Sequence, residues 1–356
     1  MQSGGEPLLS ICIPTYNRAA NLRSLFATLL PLKRRFGEDV EFCVSDNASP
    51  DETRAVIEEF SRPLGLRVVH QARNIGGTLN IIEVAQLVRG RWGMFLGDDD
   101  ELVSDALDEL LRLLRSCEAA ARWILIDAQN IAGRSQYLGG FVAGAYGAAR
   151  FRRAVVKVGL NTFGFMGVHV FPRAAVGTFR SMTLEDAQPW PHTACMLRET
   201  AASNHGVRVL KRAVTIQATD AKLFWKGGDL AKLRLDKVRI VMRICRAMRA
   251  RYGFFHCLML RELYAWTTVS ALLAWRLYEP EDFDQRAVST YVRSYGYLGL
   301  CAPLAVPHLV LLSIARLIPG RLFARMFRLF GLGYLLSDYQ ALKTKLGMFD
   351  GIKRGI

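Results

Sequence analysis

Along the first 130 residues the apolar and polar positions change period at short intervals. Leu8 to Pro14 (LLSICIP) is a continuous apolar run of strand length, and Asn21 to Leu30 sets Leu22, Leu25, Phe26 and Leu29 on one helical face. Val40 to Asp46 (VEFCVSD) predicts a second strand and Asp51 to Phe60 a second helix, with SPDE supplying helix-start chemistry. The alternation continues with a strand over Leu66–His70, a helix over Thr78–Val88, a strand over Trp92–Gly97, a helix over Leu102–Leu114 and a strand over Trp123–Asp127. Beyond about residue 150 it weakens. Glycine-rich GLNTFGFMG leads into a predicted strand VHVF, and LEDAQPWPH interposes two prolines before a helix over Thr193–Thr200. From Asp229 onward the pattern is mostly helical.

Strands and helices alternating at this spacing imply parallel crossovers, hence a three-layer α/β domain. Such sheets bind ligands beyond the carboxyl ends of their strands. Four polar loops occupy those ends: TYNR (Thr15–Arg18), DNAS (Asp46–Ser49), ARNIGG (Ala72–Gly77) and GDDDE (Gly97–Glu101).

Composition sharpens this picture where charge is concerned. The chain has 356 residues, 51% of them hydrophobic and 22% charged, which marks a globular protein with a sizeable core. Residues 1–200 hold 22 Lys and Arg against 22 Asp and Glu, and residues 201–356 hold 25 against 10, so the whole net charge of +15 is C-terminal. A boundary near residue 225 is expected, with residues 1–225 as the α/β domain and 226–356 as a basic helical region. The seven cysteines form no CxxC pair, which disfavours a disulfide framework or a zinc ribbon. MQSGGEPLLS lacks a basic segment leading into an apolar one, so no signal peptide and a cytoplasmic location are expected.

The candidate chemistry lies in the loops. Three adjacent aspartates and a glutamate repel one another unless water or a cation offsets the cost. They form either a solvated turn that caps the next helix or a hard-oxygen site for Mg²⁺ or Mn²⁺ that neutralises a diphosphate. Asp46 leaves a buried strand and can contact a base or ribose, or close an Asx turn. The Gly76–Gly77 pair permits close backbone approach, or simply a tight turn. Tyr16 can stack on a base. Neither a Walker loop nor GxGxxG is present.

Taken in order, LLSICIPTYNRAANLRSLFATLL, VEFCVSDNASPDET, RNIGGTLNI and LVRGRWGMFLGDDDEL resemble the family 2 glycosyltransferases of the GT-A fold, over roughly residues 8–115 and more weakly to about 225. The resemblance implies a three-layer α/β/α domain binding a nucleotide-diphosphate sugar with UDP, CDP, GDP or dTDP as carrier. It implies nucleotide contacts at Pro14, Tyr16, Asn17, Arg18, Asp46, Asn47, Arg73, Asn74, Gly76 and Asp98, and a divalent cation at Asp99 and Asp100. The usual motif reads Asp-x-Asp-Asp, and in that register Gly97 replaces the first aspartate and Asp99 is the cation ligand. In another register Asp98 and Asp100 form the pair. The GDDD form resembles that of O-antigen abequosyltransferases, in which a Pro-His also follows; QPWPH would then bring His192 to the cation or a phosphate. Inverting members of the family use a carboxylate as general base, and Asp186, with Glu185 beside it, is the acidic pair in the right part of the chain. Arg18, Arg73 and Lys222 are candidate diphosphate partners.

The basic half adds a location. Leu230, Leu233, Val238, Val241, Cys245 and Met248 share one helical face opposite Lys232, Arg239, Arg243 and Arg246. GRLFARMFRLFG (Gly320–Gly331) spaces Arg321, Arg325 and Arg328 against Phe323, Met326, Phe327 and Phe330, the composition of an interfacial helix on an anionic membrane. Leu298–Ile318 is long enough to span a bilayer but carries Pro303, Pro307, His308 and Arg316, so a re-entrant, interfacial or buried segment is expected. Leu258–Tyr278 carries Arg261, Glu262 and Arg276 and reads as a buried helix. No nucleic-acid-binding motif accompanies the charge. The expectation is a transferase acting on a lipid-linked or saccharide acceptor at the inner face of a bacterial membrane. A nucleotidyltransferase and a non-catalytic nucleotide-sugar-binding protein are the competing classes.

Overall fold

β1 (Leu9–Thr15) is nearly all buried and lies inside the parallel part of the sheet. It pairs in parallel with β2 (Val40–Asp46) on one side and β4 (Trp92–Phe95) on the other, and β3 (Arg67–His70) extends the parallel run beyond β2. The computed structural model describes residues 6–117, 121–130, 133, 137–202, 206–217, 239–244, 253–254, 257–258, 261–262 and 306–329. The chain divides into two compact units, residues 1–219 and 220–356.

The crossovers are helices whose apolar stripes the sequence dictates. α1 (Ala19–Phe36) buries Leu22, Leu25, Phe26, Leu29 and Leu32, and its last turn sets Lys33, Arg34 and Arg35 against the negative end of the helix dipole. It runs through Pro31 and past the predicted end at Leu30, because the apolar spacing continues to Leu32. α2 (Thr53–Leu64) stops at Gly65 in the left-handed conformation, φ 63°. α3 (Gly77–Gln86) joins β3 to β4, and α4 (Ser104–Ser116) buries Ala106, Leu107, Leu110, Leu111 and Leu114. The apolar residues of α1, α2 and α4 share one core with Ile11, Ile13, Phe42, Val44, Met94 and Leu96 of the sheet. α3 packs instead with α6 (Val176–Ser181) and α8 (Pro191–Ala202), which completes the α/β/α layering.

At β4 the sheet changes character. β8 (His169–Pro172) runs antiparallel to it with Gly93 opposite Phe171. A Cβ on Gly93 would stand 2.4 Å from the Phe171 ring, so only glycine admits that aromatic at the seam. β6 (Ala121–Asn130) is antiparallel to β8, and β9 (Gly206–Gln217) is parallel to β6. β5 (Glu101–Leu102) and β7 (Gly144–Tyr146) are both antiparallel to β9. The order across the sheet is β3-β2-β1-β4-β8-β6-β9-β5. α5 (Ala148–Val158) and the short α7 (Leu184–Ala187) complete this unit, and the Gln188–Pro189 peptide is cis.

The second unit is described in part. Residues 239–244 are helical, with Ile240, Val241, Met242 and Ile244 buried. The helices Val306–Leu317 and Gly320–Leu329 follow. Of the faces predicted over 230–248 and 258–278, Leu230, Lys232, Leu233, Val238, Cys245, Arg246, Met248 and Arg276 lie outside the described residues, as do Pro303, Phe330 and Lys222. Among the described residues, no helix is long and apolar enough to cross a membrane.

Candidate active site

The ends of β1, β2 and β3 come together in register, with Thr15 opposite Asp46 and Asp46 opposite His70. Asp46 is buried, accepts the Ser49 amide on one oxygen at 3.0 Å and faces His70 Nδ1 with the other at 3.1 Å. The Asn17 amide donates to Ser49 Oγ at 2.9 Å, the Arg18 amide to Thr53 Oγ1 at 3.1 Å and the Ala19 amide to Asp51 at 3.0 Å. Three consecutive amides at the entry to α1 are thereby clamped by side chains of the neighbouring loop. Asn47 accepts the Ile75 amide at 2.8 Å and donates to Asn74 Oδ1 at 3.0 Å, which also accepts the Gly76 amide. The three loops therefore form a single hydrogen-bonded rim. Asp46 and Asn47 shape it from within, Pro14 is half-buried, and Tyr16, Asn17, Arg73, Asn74 and Gly76 are its exposed part.

Beside this rim β4 ends in the acidic turn. The Leu96 amide bonds to Cys12, and the Asp100 amide closes back on the Gly97 carbonyl at 3.2 Å. Thr15 donates its hydroxyl to Asp98 at 2.7 Å, and Arg18 Nη1 donates to Asp99 at 3.1 Å. Burial pushes the Asp98 carboxyl up to about 6, aided by Asp99 and opposed by Thr15 and Arg18. Asp100 is buried beneath the turn. A Cβ on Gly97 would lie 2.5 Å from Asp100 Oδ2, so a side chain cannot stand there while Asp100 keeps its place. Glycine at 97 and the buried Asp100 therefore require each other.

The far half of the sheet reaches the same turn. Glu101 and Leu102, directly after it, pair with β9. Tyr137 donates to Gln217 Oε1 at 2.6 Å, stacks on Phe165 at 4.9 Å, and has its hydroxyl pushed up to about 12 by burial, with the Asp100 charge nearby. Thr15, Thr53, His70, Tyr137 and Phe165 were not singled out from the sequence. Only Thr15, inside the TYNR loop, carried a positional signal.

On α7, Asp186 forms a capping box with Thr183 and an ion pair with Arg198 at 3.3 Å. Burial would raise its carboxyl, but the Thr183 hydrogen bonds and the Arg198 charge hold it below the usual range. Glu185 is exposed. α7 packs against α3 and α8, on the side of the sheet that carries the glycine loop. His192 is buried in the first turn of α8, with Nε2 against the Gly164 carbonyl at 3.2 Å and no hydrogen-bond partner for Nδ1. Its ring lies 4.7 Å from that of His169 and 6.2 Å from that of Phe95, and burial, followed by His169, drives its pKa well below the ordinary value.

The donor set can be tested against a divalent cation. Among the described residues, no three His, Cys, Asp or Glu side chains are arranged to hold a metal ion together. One or two carboxylates remain, with Asp99 partly exposed. Mg²⁺ and Mn²⁺ accept that arrangement when phosphate oxygens and water complete the shell. The turn fits a cation shared with a bound diphosphate, not a closed protein cage.

The fold has known counterparts. Its α/β arrangement is that of GT-A glycosyltransferases: S. aureus TarS (1–349) superposes with a TM-score of 0.58 at 17% identity, covering 86% of each chain. A mannosyltransferase from Pyrobaculum calidifontis, solved with GDP-Man and Mn²⁺, gives 0.51 at 13% identity, covering 88% of each. Residues 10–172 match the sequence profile of glycosyl transferase family 2. Abequosyltransferase RfbV of Salmonella typhimurium is 33% identical over 111 residues, 31% of this chain and 33% of that protein. The GalNAc(5)-diNAcBac-PP-undecaprenol beta-1,3-glucosyltransferase of Campylobacter jejuni is 30% identical over 111 residues, 30% of this chain and 34% of that protein. The chain thus spans about a third of the length of these relatives.

Proposed function

We propose that the protein transfers a sugar from a nucleotide-diphosphate donor to a lipid-linked glycan acceptor. The observation that carries this reading is the joining of the β1, β2 and β3 loops into one rim, with the acidic turn bonded to it through Thr15 and Arg18. In this reading Tyr16 stacks on the base and Asn17, Asn74 and Gly76 offer polar contacts to the nucleoside. Asp46 and Asn47 hold the loops that present them. Arg73, exposed and without an ion pair among the described residues, faces the diphosphate. A divalent cation at Asp99 supplies charge neutralisation for the departing diphosphate. Asp186 is the proposed general base. It is anionic at neutral pH, and its capping box and Arg198, which lower its pKa and with it its basicity, fix its direction. His192, buried and neutral, supports the turn from behind through Phe95.

The membrane enters through the second unit. On Val306–Leu317, Val306, Val310, Ile314 and Leu317 follow one another at four, four and three residues and are all exposed. Arg325 is exposed on the next helix. An apolar stripe with cationic neighbours suits an anionic bilayer surface, where a polyprenyl-linked acceptor resides.

The test is thermal stabilisation of the full chain by UDP, CDP, GDP and dTDP, with and without Mn²⁺, repeated with Asp99→Asn. Ligand at a hundred times its Kd adds about 2.7 kcal/mol to stability. Stabilisation by one nucleotide that depends on Mn²⁺ and is lost in the variant is the expected result. No response to any nucleotide by a folded sample overturns the reading.

A further inference from the structure

Arg18 occupies an unusual place. Its amide is clamped to Thr53 and its neighbours' amides to Ser49 and Asp51, so the backbone at the rim is fixed. Its guanidinium nevertheless leaves the rim and pairs with Asp99 at 3.1 Å, both side chains keeping some exposure, 26% and 19%. This is the carboxylate assigned above to the divalent cation, and a guanidinium and a divalent ion cannot share it without mutual repulsion.

We propose that Arg18 is a displaceable counter-ion that couples cation binding to donor binding. Paired with Asp99, it neutralises that carboxylate and offsets the repulsion among Asp98, Asp99 and Asp100. When a cation takes Asp99, the guanidinium is released while its backbone stays clamped, and the diphosphate provides its new anionic partner. A cation alone must displace Arg18 from Asp99 with no incoming anion, so it binds weakly. A cation together with a diphosphate leaves every charge partnered, so the two ligands favour each other, and the coupling is reciprocal. The inference rests on the reading of Asp99 as the cation ligand.

Opposite effects on the two ligands distinguish this role from one of loop shape, which would weaken both. Mn²⁺ alone is titrated into the full chain and followed by the loss of the free-ion electron paramagnetic resonance signal. Inorganic pyrophosphate, which avoids the question of the base, is then titrated by calorimetry at saturating Mn²⁺. Arg18→Gln is expected to bind Mn²⁺ alone about five- to tenfold more tightly than wild type and pyrophosphate at least tenfold more weakly. Those bounds correspond to one surface ion pair and one charge-assisted contact. Arg18→Lys, which keeps the charge, should retain most of the opposition to Mn²⁺. Asp99→Asn gives an independent arm: it removes the carboxylate that holds Arg18 Nη1, so pyrophosphate without Mn²⁺ should bind several-fold more tightly than to wild type. Unchanged or weaker Mn²⁺ binding by a folded Arg18→Gln overturns the proposal and leaves the cation site standing. Wild type that binds no Mn²⁺ even with pyrophosphate overturns both, whereas the transferase reading is judged separately by nucleotide stabilisation.

Discussion

The imidazoles of His169 and His192 lie 4.7 Å apart between centroids, one on β8 and the other at the start of α8, both fully enclosed. His169 accepts the Trp123 indole N–H on Nδ1 and donates from Nε2 to the Phe163 carbonyl, an arrangement only the neutral ring can make. Burial lowers its pKa to about 4. A histidine with a depressed folded pKa takes up its proton first in the unfolded state. Its contribution is therefore complete above about 6.5 and is lost as pH falls toward 4. Loss of about 3 kcal/mol is expected across that window from His169 alone, read by urea unfolding at a series of pH values. His169→Gln, which can keep both hydrogen bonds, should flatten the slope; an unchanged slope would exclude His169 as its source.

Gly97 is expected to resist every side chain. Alanine there meets the buried Asp100 carboxylate at 2.5 Å, so Gly97→Ala should cost about 1–3 kcal/mol of stability. If the clash with Asp100 is the cause, Asp100→Ala will remove most of that cost in the double variant. Strict additivity of the two substitutions in chemical unfolding would refute the explanation.

Asp186 and Glu185 are separable by experiment. Removing a general base lowers turnover by about 10²–10⁴-fold with donor binding intact. Asp186→Asn should do so and Glu185→Gln should not, with nucleotide affinity measured in parallel. The opposite pattern would transfer the role to Glu185. A loss of stability of about 1 kcal/mol in Asp186→Asn with normal turnover would leave Asp186 as a helix cap only.

Exposed apolar residues on Val306–Leu317 predict binding to vesicles. Val310→Ser, Ile314→Ser and Leu317→Ser combined should strip most of the full chain from phosphatidylglycerol-containing vesicles in flotation, since each burial contributes about 1.5–3 kcal/mol. Raising salt should weaken the wild-type association. Equal flotation of wild type and triple variant would rule the stripe out.

How much of this was legible follows from particular residues. Val40–Asp46 forms the strand predicted for it, and Leu22, Leu25, Phe26 and Leu29 are buried together, because local pattern and tertiary burial agree there. β9 was missed because its ladder slips where Ile126 faces Leu210 and Asp127 faces Ala213. Lys211 and Arg212 bulge out and break the alternation by which a strand is recognised. The acidic turn stood out as a charge cluster. The pairing of Asp99 with Arg18 and of Asp98 with Thr15 did not, since partners more than 80 positions away leave no local periodic trace. Tyr137 lies in a stretch with no periodic pattern, and its place beside Asp100 is set wholly by tertiary packing.

The seam at β4 also divides the sheet in the order of its making. Leu9 pairs with Val40 and with Trp92, so the four parallel strands and the rim they carry are all drawn from the first hundred residues. Glu101 waits for Ile216, and Trp92 for Pro172. Loop closure over such spans is slow compared with helix-bridged neighbours. Until β8 is available the β4 edge has no strand partner on that side, and glycine at 93 leaves room there for Phe171. The edge through which the sheet is finished is thus also the exposed edge of any chain that ends before β8.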